Sequence, residues 1–391
     1  MKLLFVSNYY NHHQTAISRY LHNKTHGNFA FVATGKMSAE RKRLGYQSQE
    51  HEWVRYIPRT EDGKAELTQL ANSYDVIVAG SVPEKMISDI RKNPKFLIFK
   101  YSERPFKKKD NFFKNILHFV KFRYYHRHLK STYLLCSSAY TSYDYSKMWL
   151  YKNKAYKWGY FPETKKYESI TQLMDEKNSR EIMWCGRLLD WKHPDDVIHV
   201  AKMLKDAGYN FNIKFVGNGE MSEQLHDMVE QYELQNCVHL LGSTTPDKVR
   251  WCMESAGIFM FTSDRNEGWG AVLNEAMNSG CAVVASHAIG SVPYLVKNND
   301  NGLVYNSGDV NMLFEKVKYL LDNPNEQRRL GMSAYETITE TWNAEVAAER
   351  LIHLSECIIA GEKHPELYEY GPCSKAKIIK DNWLKLDENK T

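Results

Sequence analysis

The sequence predicts an α/β chain made of two Rossmann-like halves, each a parallel sheet layered with helices. Three observations carry this expectation. Strand-like and helical stretches alternate through the first part of the chain. A polar, turn-prone stretch from Phe161 to Ser179, containing Pro162, interrupts them. The alternation then restarts. At 391 residues the chain is long enough for two separate cores. Its 43% hydrophobic and 25% charged content marks it as globular rather than disordered.

The elements follow in order. KLLFVS, FAFVAT, YDVIVAG, KFLIFKY and YLLCSS are strand-length runs of the first half. TAISRYLHNK and EKMISDIRKN lie between them as helical candidates, the first starting near Thr15. In the second half EIMWCG, FNIKFVG, VHLLG, GIFMFTS and CAVVAS read as strands. DDVIHVAKMLKDAG, SEQLHDMVEQYEL, AVLNEAMNS, DVNMLFEKVKYLLDN and PNEQRRLGMSAYETITETW read as helices. We place a first domain at 1–165, a second at 180–342, and a C-terminal helix with its tail at 343–391. The polar tail from Gly361 is expected to pack poorly. MKLLFVSNYY has too short an apolar run for a signal peptide, and no stretch reaches transmembrane length. The seven cysteines include no Cys-x-x-Cys, which argues against a zinc site or disulfide framework and for a reducing, cytoplasmic setting.

The most informative segment runs from Gly257 to Gly302. Glu267 lies in the loop after a buried strand, and Glu275 stands eight positions on, in the following helix. Gly268 and Gly270 let backbone approach a ligand and leave amides free at the helix start. Ligands of open α/β sheets bind beyond the carboxyl ends of the strands. Two carboxylates beside such amides suit a ligand with both hydroxyls and phosphate. The plain alternative is two solvated acids flanking a helix start. Upstream, Arg187 and Lys192 follow another strand, five apart. Two cations there can neutralise a diphosphate, Arg as a fixed fork and Lys as a point charge. Gly217, with Gly219, marks either a tight turn or a ligand contact.

This arrangement, with Asn301-Gly302-Leu303 downstream, resembles the Glu-x7-Glu motif of retaining GT-B glycosyltransferases, most closely glycosyltransferase family 4. The specific resemblance spans Glu181 to Leu354; the first domain is similar only in architecture. It implies the GT-B fold, with two Rossmann-like domains facing across a cleft and a C-terminal crossover helix. It implies that Glu267 lies beside the donor sugar and Glu275 holds the ribose of a nucleotide. Arg187 and Lys192 would stabilise the departing diphosphate, and Gly270 and Ala271 would help hold it with backbone amides. Gly217 matches a glycine turn close to the donor. Gly242 and Ser243 lie in a loop that contacts the nucleobase through backbone atoms. Trp269 would shape the sugar pocket. The co-substrate is then a nucleotide-diphosphate sugar and the acceptor a hydroxyl. Asp-x-Asp is absent from the chain, so no metal and no other cofactor is expected.

The first half departs from the family pattern. Where relatives carry glycines after the first strand, this chain has Asn11, His12, His13 and Gln14. His13 is a candidate for acceptor binding or phosphate contact, or simply an exposed loop histidine. Where relatives carry a His near the end of KFLIFKY, the polar candidate here is Glu103, which could take the acceptor proton or pair with Arg104 or a nearby Lys. From Arg104 to Lys130 nine Lys or Arg stand against one acid, with seven aromatics interleaved. Such a segment suits an anionic membrane surface or a lipid-linked acceptor, or is a helix with one core face and one solvated basic face. Nucleic acid would be drawn to the same charge but is not the expected partner. The expectation is a metal-independent glycosyltransferase of hexosyltransferase type, in surface polysaccharide or glycolipid assembly. It would lie in the cytoplasm or peripherally on the membrane's cytoplasmic face. The rivals are a nucleotide-sugar epimerase on the same fold and a non-catalytic binding partner.

Overall fold

The computed structural model describes residues 1–36, 51–107, 112–126 and 131–384. It divides into two compact units. The first comprises Met1–Glu163 with Trp342–Lys380, and the second Thr164–Thr341 with the residues from Asp381.

The first unit holds a seven-stranded parallel sheet. Its strands are β1 (Leu3–Ser7), β2 (Phe29–Ala33), β3 (Val54–Tyr56), β4 (Val76–Ala79), β5 (Leu97–Ser102), β6 (Thr132–Cys136) and β7 (Ala155–Lys157), in the order β3-β2-β1-β4-β5-β6-β7. β1, β2, β4 and β6 are buried throughout, as parallel strands covered on both faces must be. The short edge strands β3 and β7 had no sequence signal of their own. β7 gains an antiparallel bridge from Lys375 to Tyr156.

The second unit holds a six-stranded parallel sheet. Its strands are β8 (Asn178–Cys185), β9 (Asn212–Val216), β10 (Val238–Leu240), β11 (Ala256–Phe261), β12 (Ala282–Ser286) and β13 (Leu303–Tyr305), in the order β10-β9-β8-β11-β12-β13. Strand order reverses between β8 and β11, which places a ligand-binding crevice at their carboxyl ends. Ile182, Trp184, Phe215, Ile258, Met260 and Val284 fill the core between this sheet and its helices.

Three expectations need correction. The first helix is His12–Lys24, earlier than Thr15. Asn11 caps it and Gln14 closes a capping box, satisfying two otherwise orphan amides. His12 and His13 are therefore first-turn helical residues, not loop residues. The Phe161–Ser179 stretch is not a bare linker: Phe161 is buried and Ile170–Glu176 is a helix that buries Met174. The tail does not pack poorly over its described part. Tyr133 Oη donates to the Lys363 carbonyl at 2.8 Å and Tyr156 Oη to that of Pro365 at 3.0 Å, while Cys373 and Ala376 are buried. The helix Ala344–Ile359 belongs to the first unit and packs against His12–Lys24, where Lys24 Nζ reaches Glu349 at 2.6 Å.

Candidate functional site

In the second unit the loops after β8, β9 and β10 are knitted together by glycine. A Cβ on Gly217 would lie 1.8 Å from the Gly186 carbonyl oxygen, so only glycine lets β9 end against the Gly186–Arg187 turn. The Gly217 amide donates to the Gly242 carbonyl at 2.9 Å, which ties in the third loop. Gly242 and Ser243 stand at its rim, Ser243 exposed. Arg187 is exposed and makes no ion pair or hydrogen bond through its side chain among the described residues.

Lys192 sits in the 3-10 turn Asp190–Lys192. Its ammonium pairs with the Glu267 carboxylate, and both side chains are about seven-eighths covered, at 12% and 13% exposure. Ser263 Oγ donates to the same Glu267 oxygen at 3.2 Å. The Lys192 carbonyl accepts from Thr262 Oγ1 at 2.6 Å, and Thr262 Oγ1 accepts from Trp184 Nε1 at 2.9 Å. The pair is thus anchored to the end of β11 through its backbone as well as its charge. The structure joins two residues 75 positions apart that the sequence suggested separately.

The Glu267 loop then turns into the helix Ala271–Asn278. Gly270 has φ +82°, and a Cβ there would meet Phe261 Cζ at 2.4 Å. The amides of Gly270, Ala271 and Val272 meet no acceptor among the described residues, as expected of a first helical turn. Gly268 is buried within this turn. Glu275 makes no hydrogen bond or ion pair through its carboxylate among the described residues. Burial raises its pKa, and Arg250 pulls it partly back. Arg250 is occupied with the helix end, donating to the Glu275 carbonyl, Asn278 Oδ1 and Ser279 Oγ. The Cys185 thiol is pushed up to about 12, first by burial and then by the Glu275 charge, which places β8's end beside that carboxylate.

Trp269 has a different place from the one expected. It is fully buried, and its Nε1 donates to Asn274 Oδ1 at 2.9 Å. Its ring presents no surface to a ligand; it wedges the loop against the helix. Downstream, Asn301 bonds the Leu295 carbonyl and Thr337 Oγ1, each at 2.8 Å, a purely structural use.

One group of described residues could hold a metal ion. His193, Asp195 and Asp196 bring ligand atoms within 4.8 Å of one another. The two aspartates occupy the first turn of the helix Pro194–Asp206, where the helix dipole favours acids. His193 faces Asp264 at 3.9 Å, and that carboxylate raises the imidazole pKa.

In the first unit Glu103 accepts from Tyr160 Oη and pairs with Lys107. The Tyr160 ring lies 6.1 Å from that of His13. His13 and Glu103 therefore share Tyr160, a residue no sequence signal marked. Of the basic segment, Arg104 is buried and forms a bidentate pair with Asp144 at 3.2 Å, so it is structural. Residues 108–111 and 127–130 lie outside the described residues. On the helix Phe112–Tyr125, Phe119 and Phe122 pack inward. Leu117, Val120 and Tyr124 face out at 69%, 59% and 57% exposure, an apolar stripe at helical spacing. Trp149 beside it is 78% exposed.

Residues 166–337 match the family model described as Glycosyl transferases group 1. The poly(ribitol-phosphate) α-N-acetylglucosaminyltransferase of Staphylococcus aureus (strain COL) is 30% identical over 172 residues, 43% of this chain and 34% of that protein. The amylovoran biosynthesis glycosyltransferase AmsK of Erwinia amylovora is 26% identical over 180 residues, 45% of this chain and 44% of that protein. The chain thus matches less than half the length of these relatives. Among solved structures, HepE of Anabaena in complex with UDP is similar with a TM-score of 0.69, covering 91% of this chain and 100% of that one at 15% identity. The same protein in complex with UDP-glucose gives 0.66, covering 91% and 99% at 16% identity. Identity at that level speaks for the fold, and the sequence match speaks for the second unit. Together they give this chain the GT-B fold, with residues 166–337 similar to the glycosyl transferases group 1 family.

Proposed function

We propose that the chain is a retaining glycosyltransferase. It would move a sugar from a nucleotide-diphosphate sugar to a hydroxyl acceptor in surface polysaccharide or glycolipid assembly. The observation that carries this is the Lys192–Glu267 pair beyond the carboxyl ends of β8 and β11, with the unmatched Glu275 carboxylate on the helix that follows. Glu275 accepts from the ribose diol, because a half-buried carboxylate lacking a protein partner gains most from two hydroxyl donors. The first-turn amides of Gly270 and Ala271 take the diphosphate. Arg187 and Lys192 neutralise the charge that builds on it as the sugar–phosphate bond breaks. Glu267 orients the sugar and supports positive character at its ring. The acceptor attacks from the leaving-group side, and its proton passes to a phosphate oxygen, which gives retention. His13, Glu103 and Tyr160 orient the acceptor hydroxyl.

The relatives support the setting: one is named for N-acetylglucosaminyl transfer to poly(ribitol phosphate) and one for amylovoran biosynthesis, and HepE was solved with UDP and with UDP-glucose. Cations in place of an ion make transfer independent of divalent metal. No described helix is long and apolar enough to cross a membrane. The exposed Leu117, Val120 and Tyr124, set in a segment rich in Lys and Arg with the exposed Trp149 beside it, support contact with an anionic membrane surface and a lipid-linked acceptor.

Thermal shift with UDP, GDP, ADP, CMP and their sugar conjugates, in EDTA, tests the reading. A ligand at one hundred times its Kd adds about 2.7 kcal/mol. UDP and a UDP-sugar are expected to raise Tm with EDTA present. No shift with any nucleotide in a folded sample would overturn the donor site, and a shift seen only with Mn²⁺ or Mg²⁺ would overturn metal independence.

A further inference from the structure

The first unit contains a cavity of about 380 Å³ that the reading above does not use. It lies among the helix Glu61–Ala71, the turn Glu84–Ile87, the helix Ser88–Lys92 and the end of Phe112–Tyr125. Lys64, Lys85, Arg91 and Lys92 line it, with Ser88 and Tyr124, against the carboxylates of Glu61 and Glu84.

Arg91 is the unusual member. Its side chain is 4% exposed. One terminal nitrogen serves Glu84, at 2.6 Å, and the Tyr125 carbonyl, at 3.1 Å. Nε and the other terminal nitrogen are buried with no hydrogen-bond partner. Guanidinium always carries its charge and five N–H donors, so the three on these two buried, unmatched nitrogens are costly unless an acceptor arrives. Glu84 does not supply it. Burial alone would raise the Glu84 pKa, but Lys100, His126 and Arg91 outweigh this and hold it well below the usual range. Its charge is shared with Lys100 at 3.1 Å, while burial lowers the pKa of the nearby His126 and keeps it from adding a second cation, so Arg91 has one carboxylate in common with a buried lysine. Around the mouth, Lys64 and Lys92 share one exposed acid, Asp89, at 2.7 and 3.7 Å, and Lys85 is exposed with no ion pair among the described residues. Among the lining residues four cations stand against two carboxylates.

We propose that this cavity is a binding site for a phosphate-class oxyanion, with Arg91 at its base and Lys64, Lys85 and Ser88 at its mouth. A tetrahedral oxyanion offers the several acceptors that a forked guanidinium and nearby ammonium groups need. Tyr124 belongs to both the cavity and the exposed apolar stripe of its helix. The anion can therefore be a free phosphate ester or the headgroup of a lipid whose surface that stripe meets.

The test uses the full chain carrying Arg187→Ala, so that phosphate binding at the nucleotide site does not mask the result. Inorganic phosphate is titrated by calorimetry. Vesicles of phosphatidylcholine with phosphatidic acid are compared with vesicles matched in charge by phosphatidylglycerol. Saturable phosphate binding is expected, weakened about tenfold or more by the rim variant Lys64→Ala/Lys85→Ala. Arg91→Gln should abolish it; if that variant misfolds by circular dichroism, the rim variant decides alone. Preference for phosphatidic acid, competed by phosphate and lost in the rim variant, identifies the headgroup. Phosphate binding without vesicle preference identifies a soluble anion. Both support the site. Absence of phosphate binding, or binding unchanged in the rim variant, overturns it. UDP affinity of the rim variant on the native Arg187 background should be unchanged, which separates failure here from failure of the donor site.

Discussion

Glu275 is a carboxylate held among protein groups without a hydrogen-bond partner, and that sets a testable trade between stability and binding. Its folded pKa is raised by burial, so between the ordinary carboxylate value and the raised one the folded state holds more proton than the unfolded. Stability from this group therefore falls as pH rises across that window and is level above it. Glu275→Gln should raise Tm at neutral pH, by about 2–4 °C for each kcal/mol gained, and give no gain in acid below the window. The same variant should weaken nucleotide binding by about tenfold or more, since hydrogen bonds to a charged acceptor are worth about 1.5–3 kcal/mol. Tm against pH, with UDP titration, checks both; a neutral Tm that falls would contradict the account. Glu267→Gln keeps shape but removes the charge facing Lys192 and the sugar ring. Transfer should drop by about 10²–10³ with fold intact, in keeping with loss of one preset electrostatic group. Steady-state rates on a transferable donor would show it, and a rate within a few-fold of the parent would remove Glu267 from the mechanism.

Among the elements, the turn from β11 into Ala271–Asn278 carries the site. Gly270 supplies a left-handed residue and passes 2.4 Å, measured from an added Cβ, from the Phe261 ring. Gly270→Ala should cost about 1–3 kcal/mol, from backbone strain plus the displaced ring, and should weaken nucleotide binding beyond the stability loss. Urea unfolding and nucleotide titration would separate the two effects. The buried Trp269 holds this turn from below through Asn274. That makes it a support for the amides rather than a wall of the sugar pocket, and the reason is volume: the largest side chain of the loop goes where it displaces most water.

For the whole molecule, the chain's last described segments complete the first unit. The helix Ala344–Ile359 covers His12–Lys24, and residues 363–376 close the sheet beside β6 and β7. A chain ending at Thr341 should keep the second unit folded but expose the first. Limited proteolysis read by mass spectrometry should then cut within 1–163 while 164–341 survives. Equal protection of both would show that the first unit stands without its C-terminal cover.

By itself the sequence determined the α/β class, the two alternating halves, most strands, and the loop–helix pair that carries Glu267 and Glu275. Those features are local: buried parallel strands are runs of apolar residues, and a glycine turn before a helix is written in adjacent letters. Only the tertiary structure decided who meets whom. Lys192 and Glu267 pair because β8 and β11 are sheet neighbours although far apart in the chain. Tyr160 joins His13 to Glu103, and Arg104 turns from surface cation to buried partner of Asp144, for the same reason. The tail's docking and the short strands β3 and β7 were equally hidden, since their stability comes from the surfaces they cover rather than from their own composition. Periodicity records which face of an element is apolar; it does not record which distant element that face will find.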